Sequence, residues 1–229
     1  MQKVTIIVPV KDEEIGLHYL IEDFKSSNIG EEFDIDFIFV IDERTSDNSR
    51  QIASKLSKRI INQNGIPGKG AAIKQAVNEW EVSQTNIVIF LDADGSYSFN
   101  GVRKIISILQ EGADVASGSR FIGMKGRPQG MGKVHNFGNR VLSKISSVRN
   151  GRKISDLCTG LWGFTGDSLN KIEIKSNGFD LEAEIAGEIR KRNLLHLEVP
   201  VNWSQRKGGA SKLRSIRDGF IILSRIIRT

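Results

Sequence analysis

Several features that mark particular classes of protein are scarce or absent in this sequence. A single cysteine, Cys158, excludes an internal disulfide and fits a reducing compartment, so we expect a cytoplasmic location. Apolar runs such as residues 37–41 and 87–91 have the length of strands, far below the roughly 20 residues that a membrane-spanning helix needs. Neither G-x-x-x-x-G-K-S/T nor G-x-G-x-x-G occurs, which disfavours ATPases and dinucleotide-binding enzymes.

The composition is that of a globular domain with a basic surface. Of the 229 residues, 39% are hydrophobic and 26% are charged, and the formal charge of +6 favours polyanionic ligands or an anionic membrane face. Basic residues cluster in one stretch with almost no acidic neighbours before Asp156: Arg120, Arg127, Lys133, Arg140, Lys144, Arg149, Arg152 and Lys153. This stretch predicts either a solvated basic face or an anion site, since arginine matches the geometry of phosphate oxygens.

Strand and helix patterns alternate along the chain. Strands are predicted at residues 4–10, 35–41, 59–62, 87–91, 113–117 and 194–203. Helices are predicted at residues 14–25, 47–56, 70–80, 102–111, 133–149 and 179–192. The alternation predicts an α/β fold with a mostly parallel, doubly wound sheet, in which ligands bind beyond the carboxyl ends of the strands.

Two carboxylates follow the buried strand predicted at residues 87–91. Side chains two residues apart along a strand point the same way, so Asp92 and Asp94 lie close enough to share one cation. Two hard oxygen ligands suit Mg²⁺ or Mn²⁺, which would take its other ligands from water and a substrate diphosphate. An aspartate-rich turn is the alternative interpretation of the same residues.

Acidic clusters also follow the first two strands, at residues 12–14 and 42–47. In a parallel sheet these groups gather on the same edge as Asp92 and Asp94, where carboxylates accept hydrogen bonds from a nucleobase and a ribose. The segment Gly68-Lys69-Gly70 precedes a helix and predicts either a phosphate contact by Lys69 or a plain helix junction.

Two helices in the second half combine an apolar stripe with basic flanks. The stripes are Val134, Phe137, Val141, Leu142, Ile145 and Val148 in the first, and Leu213, Ile216, Phe220, Leu223 and Ile227 in the last. Each stripe predicts either packing on the domain or contact with an anionic membrane interface. The glycine-rich, cationic residues 206–212 predict a loop that folds over a diphosphate. Glu182 is a candidate general base, with helix capping or surface acidity as the alternative.

A series of motifs in chain order resembles the family 2 glycosyltransferases of the GT-A fold. The motifs are Val8-Pro9-Val10-Lys11-Asp12-Glu13, Asp42-Glu43-Arg44-Thr45-Ser46-Asp47, Asp92-Ala93-Asp94, Gly118-Ser119-Arg120, Gly138-Asn139-Arg140, Ser155-Asp156 with Thr159-Gly160, and Gln205-Arg206 through Ser211-Lys212-Leu213. They resemble the V-P-x-x-N-E, D-D-G-S-x-D, D-x-D, G-S-R, G-N-R, S-D-x-x-S/T-G and R-x-G-x-S-K segments of its polyprenyl (dolichol) phosphate mannosyltransferase-like branch. Asp12, Arg44 and Ser96 depart from the residues common there.

The resemblance implies a nucleotide-diphosphate sugar donor and a divalent metal. The implied donor contacts are Pro9, Glu13, Asp42, Lys69, Asp92, Arg206 and Lys212, with Mg²⁺ or Mn²⁺ on Asp92 and Asp94. It also implies that Arg120 and Arg140 serve the phosphates of donor and acceptor. The catalytic candidates are therefore Asp94, Arg120, Arg140 and Glu182.

From these patterns we expect a GT-A domain at residues 1–212 and an amphipathic, membrane-peripheral helix at residues 213–229. The expected reaction transfers mannose or glucose, with inversion, from GDP-mannose or UDP-glucose to a polyprenyl or dolichyl phosphate at the cytoplasmic membrane face. The alternatives are transfer to a soluble hydroxyl acceptor, nucleotidyl transfer that makes a nucleotide sugar, and nucleotide-sugar binding without turnover. Nucleic acid is not expected as a partner.

Overall fold

The structure is a computed structural model that describes residues 1–79, 86–208 and 215–229. Within them the strands are β1 Lys3–Val10, β2 Asp34–Asp42, β3 Ile60–Gln63, β4 Ile87–Leu91, β5 Val115–Ser119, β6 Leu161–Thr165 and β7 His196–Pro200. The helices there are α1 Glu14–Ser26, α2 Ile29–Glu32, α3 Ser49–Ala53, α4 Lys69–Glu79, α5 Phe99–Gln110, α6 Lys133–Asn150, α7 Gly166–Lys171, α8 Leu181–Lys191 and α9 Ser215–Arg228.

The strands form one sheet in the order β3-β2-β1-β4-β6-β5-β7. Neighbouring strands are parallel except at β6, which runs antiparallel to both β4 and β5. The predicted α/β fold with a mostly parallel sheet and flanking helices is confirmed. Helices cover both faces of the sheet, so apolar side chains on both sides of a strand are buried. Strand β4, for example, is buried along its whole length.

Strand β6 was not predicted, because a glycine within a short apolar run weakens the strand pattern. Here the glycine serves the packing of α5 on the sheet. A Cβ atom on Gly163 would lie 2.1 Å from a side-chain carbon of Ile105. The short helices α2 and α7 were also missed, since four and six residues are too few to establish a helical period.

Two core clusters lie on opposite faces of the sheet. One contains Leu17 of α1 and Val102 of α5, and the other contains Ile73 of α4 and Ile185 of α8. A third, smaller cluster joins α6, α8 and α9: Leu142, Ile154, Leu157, Ala183, Ala186, Ile222 and Ile226. The predicted C-terminal helix is therefore present and packs on the domain through one of its sides.

Some predicted features need adjustment or lie outside the described residues. The helix predicted at residues 47–56 is shorter in the structure: α3 has Asn48 as its N-cap residue, and Asp47 accepts the N–H of Ser49. Helix α5 begins at Phe99, three residues before the predicted start. Trp80, Lys212 and Leu213 lie outside the described residues. In the described part of the chain, no helix combines the length and the apolarity that a bilayer span requires.

Candidate active site

The carboxyl ends of β1, β2 and β4 bring the predicted acidic segments to one edge of the sheet. Strand β1 lies between the other two and is parallel to both. The loops after β1 and β2 are joined by hydrogen bonds: the N–H of Ser46 donates to Asp12 at 2.8 Å, and the N–H of Glu14 donates to Asp47 at 3.0 Å. The two loops therefore form one connected wall of the site.

Asp12 stands where the resemblance predicts asparagine, and its conformation explains why the exchange is tolerated. Its φ angle of 47° lies in the left-handed region, which asparagine and aspartate adopt more readily than other side chains. Its Oδ1 accepts the N–H and the hydroxyl of Ser46. An asparagine side-chain oxygen can accept the same bonds.

Lys69 connects Asp92 to Glu182. Its Nζ lies 2.7 Å from Oδ1 of Asp92 and 2.7 Å from Oε1 of Glu182. The Lys69 and Glu182 side chains are only 12% and 8% exposed. Burial alone would lower the pKa of Lys69, but the charges of Asp92 and Glu182 outweigh it and raise that pKa. Lys69 is thus a buried ammonium group that fixes the position of the Asp92 carboxylate.

Asp94 is held by Ser96. The backbone N–H and the hydroxyl of Ser96 donate to Oδ1 of Asp94 at 3.0 and 2.6 Å. Ser96 therefore orients this carboxylate. Burial and the neighbouring charge of Asp92 raise the pKa of Asp94, as expected for two carboxylates that repel each other.

This carboxylate pair fits a hard divalent cation, because a positive charge between Asp92 and Asp94 would relieve their repulsion. The Oδ1 atoms of both residues are engaged by Lys69 and Ser96. Among the described residues, no group of three or more histidine, cysteine, aspartate or glutamate side chains could enclose a metal by itself. A bound Mg²⁺ or Mn²⁺ would therefore need oxygen atoms from water or a substrate.

Arg206 and Lys207 reach the same edge from the segment that follows β7. The NH2 atom of Arg206 donates to both carboxylate oxygens of Glu13, at 2.6 and 2.7 Å, and its NH1 atom lies 3.9 Å from Oδ2 of Asp94. The backbone N–H of Lys207 donates to the carbonyl of Asp94. The predicted donor residues Glu13, Asp92 and Arg206 are therefore gathered in one place.

Two glycines allow the backbone to approach the aspartates closely. A Cβ atom on Gly160 would lie 1.9 Å from Oδ2 of Asp92, and one on Gly16 would lie 2.4 Å from the carbonyl oxygen of Ala93. Sequence reasoning assigned no role to either. Gly160 belongs to a quoted motif that could have drawn attention to it, whereas Gly16 is an ordinary-looking glycine in α1.

Asp42 and Pro9 lie at the neighbouring strand ends. Pro9 pairs in register with Val40. Asp42 is buried and accepts hydrogen bonds from the backbone N–H, Nε and NH2 of Arg44. Burial would raise the pKa of Asp42, but the bonds from Arg44 outweigh it and lower that pKa. Asp42 is therefore ionised, and Arg44 is its bonding partner.

Arg120 forms a buried ion pair with Asp156. Its Nε and NH2 atoms donate to the two Asp156 oxygens at 2.6 and 2.7 Å, and NH2 also donates to the carbonyl of Cys158. The pair fixes residues 156–158, which lead directly to Gly160 beside Asp92. The role of Arg120 toward a phosphate remains a prediction.

Arg140 lies on the exposed side of α6, apart from the network around Asp92. Its NH2 atom donates to the carbonyl of Gly126 at 2.7 Å, and its guanidinium lies over the ring of Phe121. Arg140 thereby holds the loop of residues 121–132 on α6. Its proposed contact with an acceptor phosphate is likewise still a prediction.

The model of glycosyl transferase family 2 matches residues 5–173, well over half of the chain. The chain belongs to glycosyl transferase family 2. This confirms the resemblance drawn from the ordered motifs and makes the protein a glycosyltransferase.

Two relatives of this family 2 glycosyltransferase are named a glycosyltransferase and a dolichol-phosphate mannosyltransferase. Glycosyltransferase AglJ of Haloferax volcanii is 30% identical over 226 residues, which cover 98% of this chain and 71% of the relative. The dolichol-phosphate mannosyltransferase of Pyrococcus furiosus is 26% identical over 224 residues, 93% of this chain but only 59% of the longer relative.

Solved structures confirm the GT-A fold. Glucosyl-3-phosphoglycerate synthase from Mycobacterium tuberculosis, in complex with Mn²⁺ and UDP-glucose, aligns with a TM-score of 0.74 at 17% identity. The alignment covers 98% of this chain and 79% of that one. At this identity the likeness establishes the fold alone.

Proposed function

We propose that this glycosyltransferase moves mannose or glucose, with inversion, from GDP-mannose or UDP-glucose to a polyprenyl phosphate at the cytoplasmic face of a membrane. The observation that carries the proposal is the pair Asp92 and Asp94 at the end of β4, with the cations of Lys69 and Arg206 beside it. Carboxylates alone would repel a diphosphate. Carboxylates that hold a divalent cation, next to fixed basic groups, would bind it.

In this proposal Asp92 and Asp94 hold Mg²⁺ or Mn²⁺. The metal would stabilise the negative charge that develops on the departing nucleoside diphosphate. Lys69 keeps the Asp92 carboxylate in place, and Arg206 offers N–H donors to the diphosphate oxygens. Pro9, Asp42 and the connected loops after β1 and β2 would receive the nucleoside.

A phosphate acceptor explains why a strong base is not needed. A polyprenyl phosphate is already ionised near neutral pH, so it can attack without giving up a proton to the enzyme. This fits Glu182, whose buried carboxylate is occupied by Lys69. The exposed basic residues of α6, such as Lys133, Arg140 and Lys144, would attract an anionic acceptor to the protein surface.

A soluble phosphorylated acceptor is the second candidate. The fold neighbour described above is a synthase of glucosyl-3-phosphoglycerate, and the same basic residues would attract a small phosphorylated metabolite. The two candidates share donor and metal requirements and differ only in the acceptor.

The test has two stages. First, thermal unfolding is measured with Mn²⁺ and each of a panel of nucleotide sugars, because a ligand that binds only the folded protein raises its melting temperature. Second, release of nucleoside diphosphate is measured with the stabilising donor and either polyprenyl phosphate or 3-phosphoglycerate. Release with the lipid alone supports the proposal, and release with 3-phosphoglycerate alone supports the second candidate.

Asp92→Asn and Asp94→Asn should each reduce turnover by about 100-fold or more; wild-type rates in both variants would contradict the metal site.

A further inference from the structure

Helix α6 has its polar side turned inward. The buried residues on it are Asn139, Leu142, Ser143, Ser146 and Asn150, so four of the five are polar. Their hydrogen bonds account for this orientation: Asn139 donates to Asp156 and accepts the N–H of Cys158, while Ser143 accepts the N–H of Leu157. These bonds fix the segment that leads to Gly160 and Asp92.

The opposite side of α6 is apolar and faces outward. Phe137 is 71% exposed and Val148 is 79% exposed, and Val134 and Val141 on the same side are also exposed. A surface helix of a globular domain normally has the reverse arrangement. Among residues 1–79, 86–208 and 215–229, the contacts of α6 explain its buried polar side but give its exposed apolar side no role.

Helix α9 packs beside α6 and has an exposed apolar stripe of its own. Its Ile222 and Ile226 enter the third core cluster together with Leu142 of α6. On its outer side Ile216 is 74% exposed and Phe220 is 69% exposed. Two neighbouring helices, separated by more than sixty residues in the chain, therefore both present large apolar side chains to solvent.

Cations flank both stripes. The exposed basic residues on the two helices are Lys133, Arg140, Lys144, Arg149, Arg217 and Arg228. In the sequences of α6 and α9 the only acidic residue is Asp218. Apolar side chains bordered by lysine and arginine, with almost no carboxylates, match a bilayer surface that contains anionic lipids.

We infer that the exposed sides of α6 and α9, called here the α6–α9 face, dock on an anionic membrane. The inference rests on the proposed function in one respect: a lipid acceptor requires the enzyme to work at such a surface. Docking through this face would also place the loop of residues 121–132 at the membrane, because Arg140 ties that loop to α6. The loop begins next to Arg120. The ion-pair partner of Arg120 is Asp156, which lies four residues before Gly160, the glycine that contacts Asp92.

The test is sedimentation of the full chain with vesicles of phosphatidylcholine, with and without phosphatidylglycerol, in the absence of donor and acceptor. We expect the wild type to sediment with the anionic vesicles, and less so as salt is added. Phe137→Glu and Val148→Glu should each lower the bound fraction at least about fivefold, because a carboxylate on this face opposes insertion and repels anionic lipid. Ile66→Glu, at another exposed apolar position, is the matched control and should sediment like the wild type.

A second pair of measurements separates docking from folding, self-association and catalysis. Thermal unfolding should be unchanged in the Phe137 and Val148 variants, since both side chains lie in solvent. Light scattering should give the same mass for variants and wild type; a wild-type dimer that the variants break would overturn the inference in favour of a second copy. Unchanged sedimentation of both variants, or no sedimentation of the wild type, would also overturn it. Sedimentation that depends on the face, without turnover of any sugar, would uphold docking while the proposed function fails.

Discussion

Lys69 gives the clearest example of a residue whose role depends on its partners. The sequence offered two separate hypotheses, a phosphate contact by Lys69 and a general base at Glu182. The structure joins these residues, since Lys69 lies between Glu182 and Asp92 at 2.7 Å from each. A carboxylate that is bonded to a buried ammonium is poorly placed to take a proton from an acceptor. Glu182 is better explained as a residue that positions Lys69 and, through it, Asp92.

Glu182→Gln tests this role, because glutamine retains an oxygen that accepts the Lys69 hydrogen bond but cannot act as a base. We expect kcat to fall less than about tenfold, with the pH profile of kcat/KM unchanged in shape. Removal of a true general base costs about 100- to 10,000-fold. Glu182→Ala, which removes the bond as well, should be worse than Glu182→Gln. Equal, large losses in the two variants would restore Glu182 as the base.

Gly160 should be essential to the proposed metal site, because an added Cβ atom would lie 1.9 Å from Oδ2 of Asp92. We expect Gly160→Ala to displace that carboxylate and to weaken Mn²⁺ binding about tenfold or more, as measured by the paramagnetic resonance signal of free Mn²⁺ during titration. Gly138→Ala is the matched control, since among the described residues no atom other than its chain neighbours and the nearby backbone of α6 lies within 4 Å of the Cβ position there. Equal Mn²⁺ affinity in the two variants would show that Gly160 does not shape the site.

For individual residues, the sequence predicted which of them come together better than it predicted which atoms they contact. Asp92, Asp94, Glu13, Lys69 and Arg206 were all chosen from motifs, and they do come together. The sequence could not predict the pairings, because they join residues far apart in the chain, such as Lys69 with Glu182 and Arg206 with Glu13. Complementary charge identifies many candidate partners for each residue, and only the fold selects among them.

Among the elements, β7 contains a partly buried histidine that ties stability to pH. Nε2 of His196 lies 2.9 Å from the hydroxyl of Ser117, and the ring stacks on Trp162. Burial lowers the pKa of His196 to about 3. The unfolded chain takes up this proton near pH 6.5, whereas the folded chain does not, so the stabilising effect is complete above pH 6.5 and is lost as the pH falls toward 3.

We therefore expect His196 to make the protein acid-sensitive by about 2 to 3 kcal/mol between pH 7 and pH 4.5. The measurement is the free energy of unfolding by urea at several pH values. In His196→Gln the dependence should be flatter over this range, even though the variant is less stable at pH 7. His18→Gln, at an exposed position in α1, should follow the wild-type curve. A wild-type slope in His196→Gln would disprove the assignment.

Helix α6 shows that a correctly predicted apolar stripe does not determine which side of the helix faces the domain. The predicted stripe of six apolar residues is real, but it divides: Leu142 is buried and Ile145 packs against the third core cluster, while Val134, Phe137, Val141 and Val148 face outward. Periodicity identifies a face of a helix but does not say what that face contacts. Here the hydrogen-bonding needs of Asp156 and its neighbours turn the polar side inward.

For the molecule as a whole, the division between residues 1–212 and 213–229 remains a prediction. Several contacts connect α9 to the rest of the domain: Ile222 and Ile226 are buried in the third core cluster, and Arg225 forms an ion pair with Asp180 of the loop before α8. A helix held in this way contributes to the stability of the domain, whether or not its other side meets a membrane.

Two adjacent isoleucines in α9 test that contribution. Ile226 is 1% exposed and Ile227 is 62% exposed. We expect Ile226→Ala to lower the free energy of unfolding of the whole domain by about 2 to 4 kcal/mol, because it removes buried apolar contacts and leaves a cavity. Ile227→Ala should change it by less than about 0.5 kcal/mol. If urea denaturation gives the same curve for both variants, α9 is an appendage that folds separately from the domain.

The Arg206–Glu13 pair has a consequence for the timing of a catalytic cycle. In the proposed function, the NH2 atom of Arg206 would exchange the Glu13 carboxylate for a diphosphate oxygen when the donor binds. Binding of the proposed sugar nucleotide would therefore replace one anion with another at Arg206, which would reduce the net gain from binding. After sugar transfer, Glu13 would compete with the nucleoside diphosphate for Arg206. This competition would speed the release of the nucleoside diphosphate.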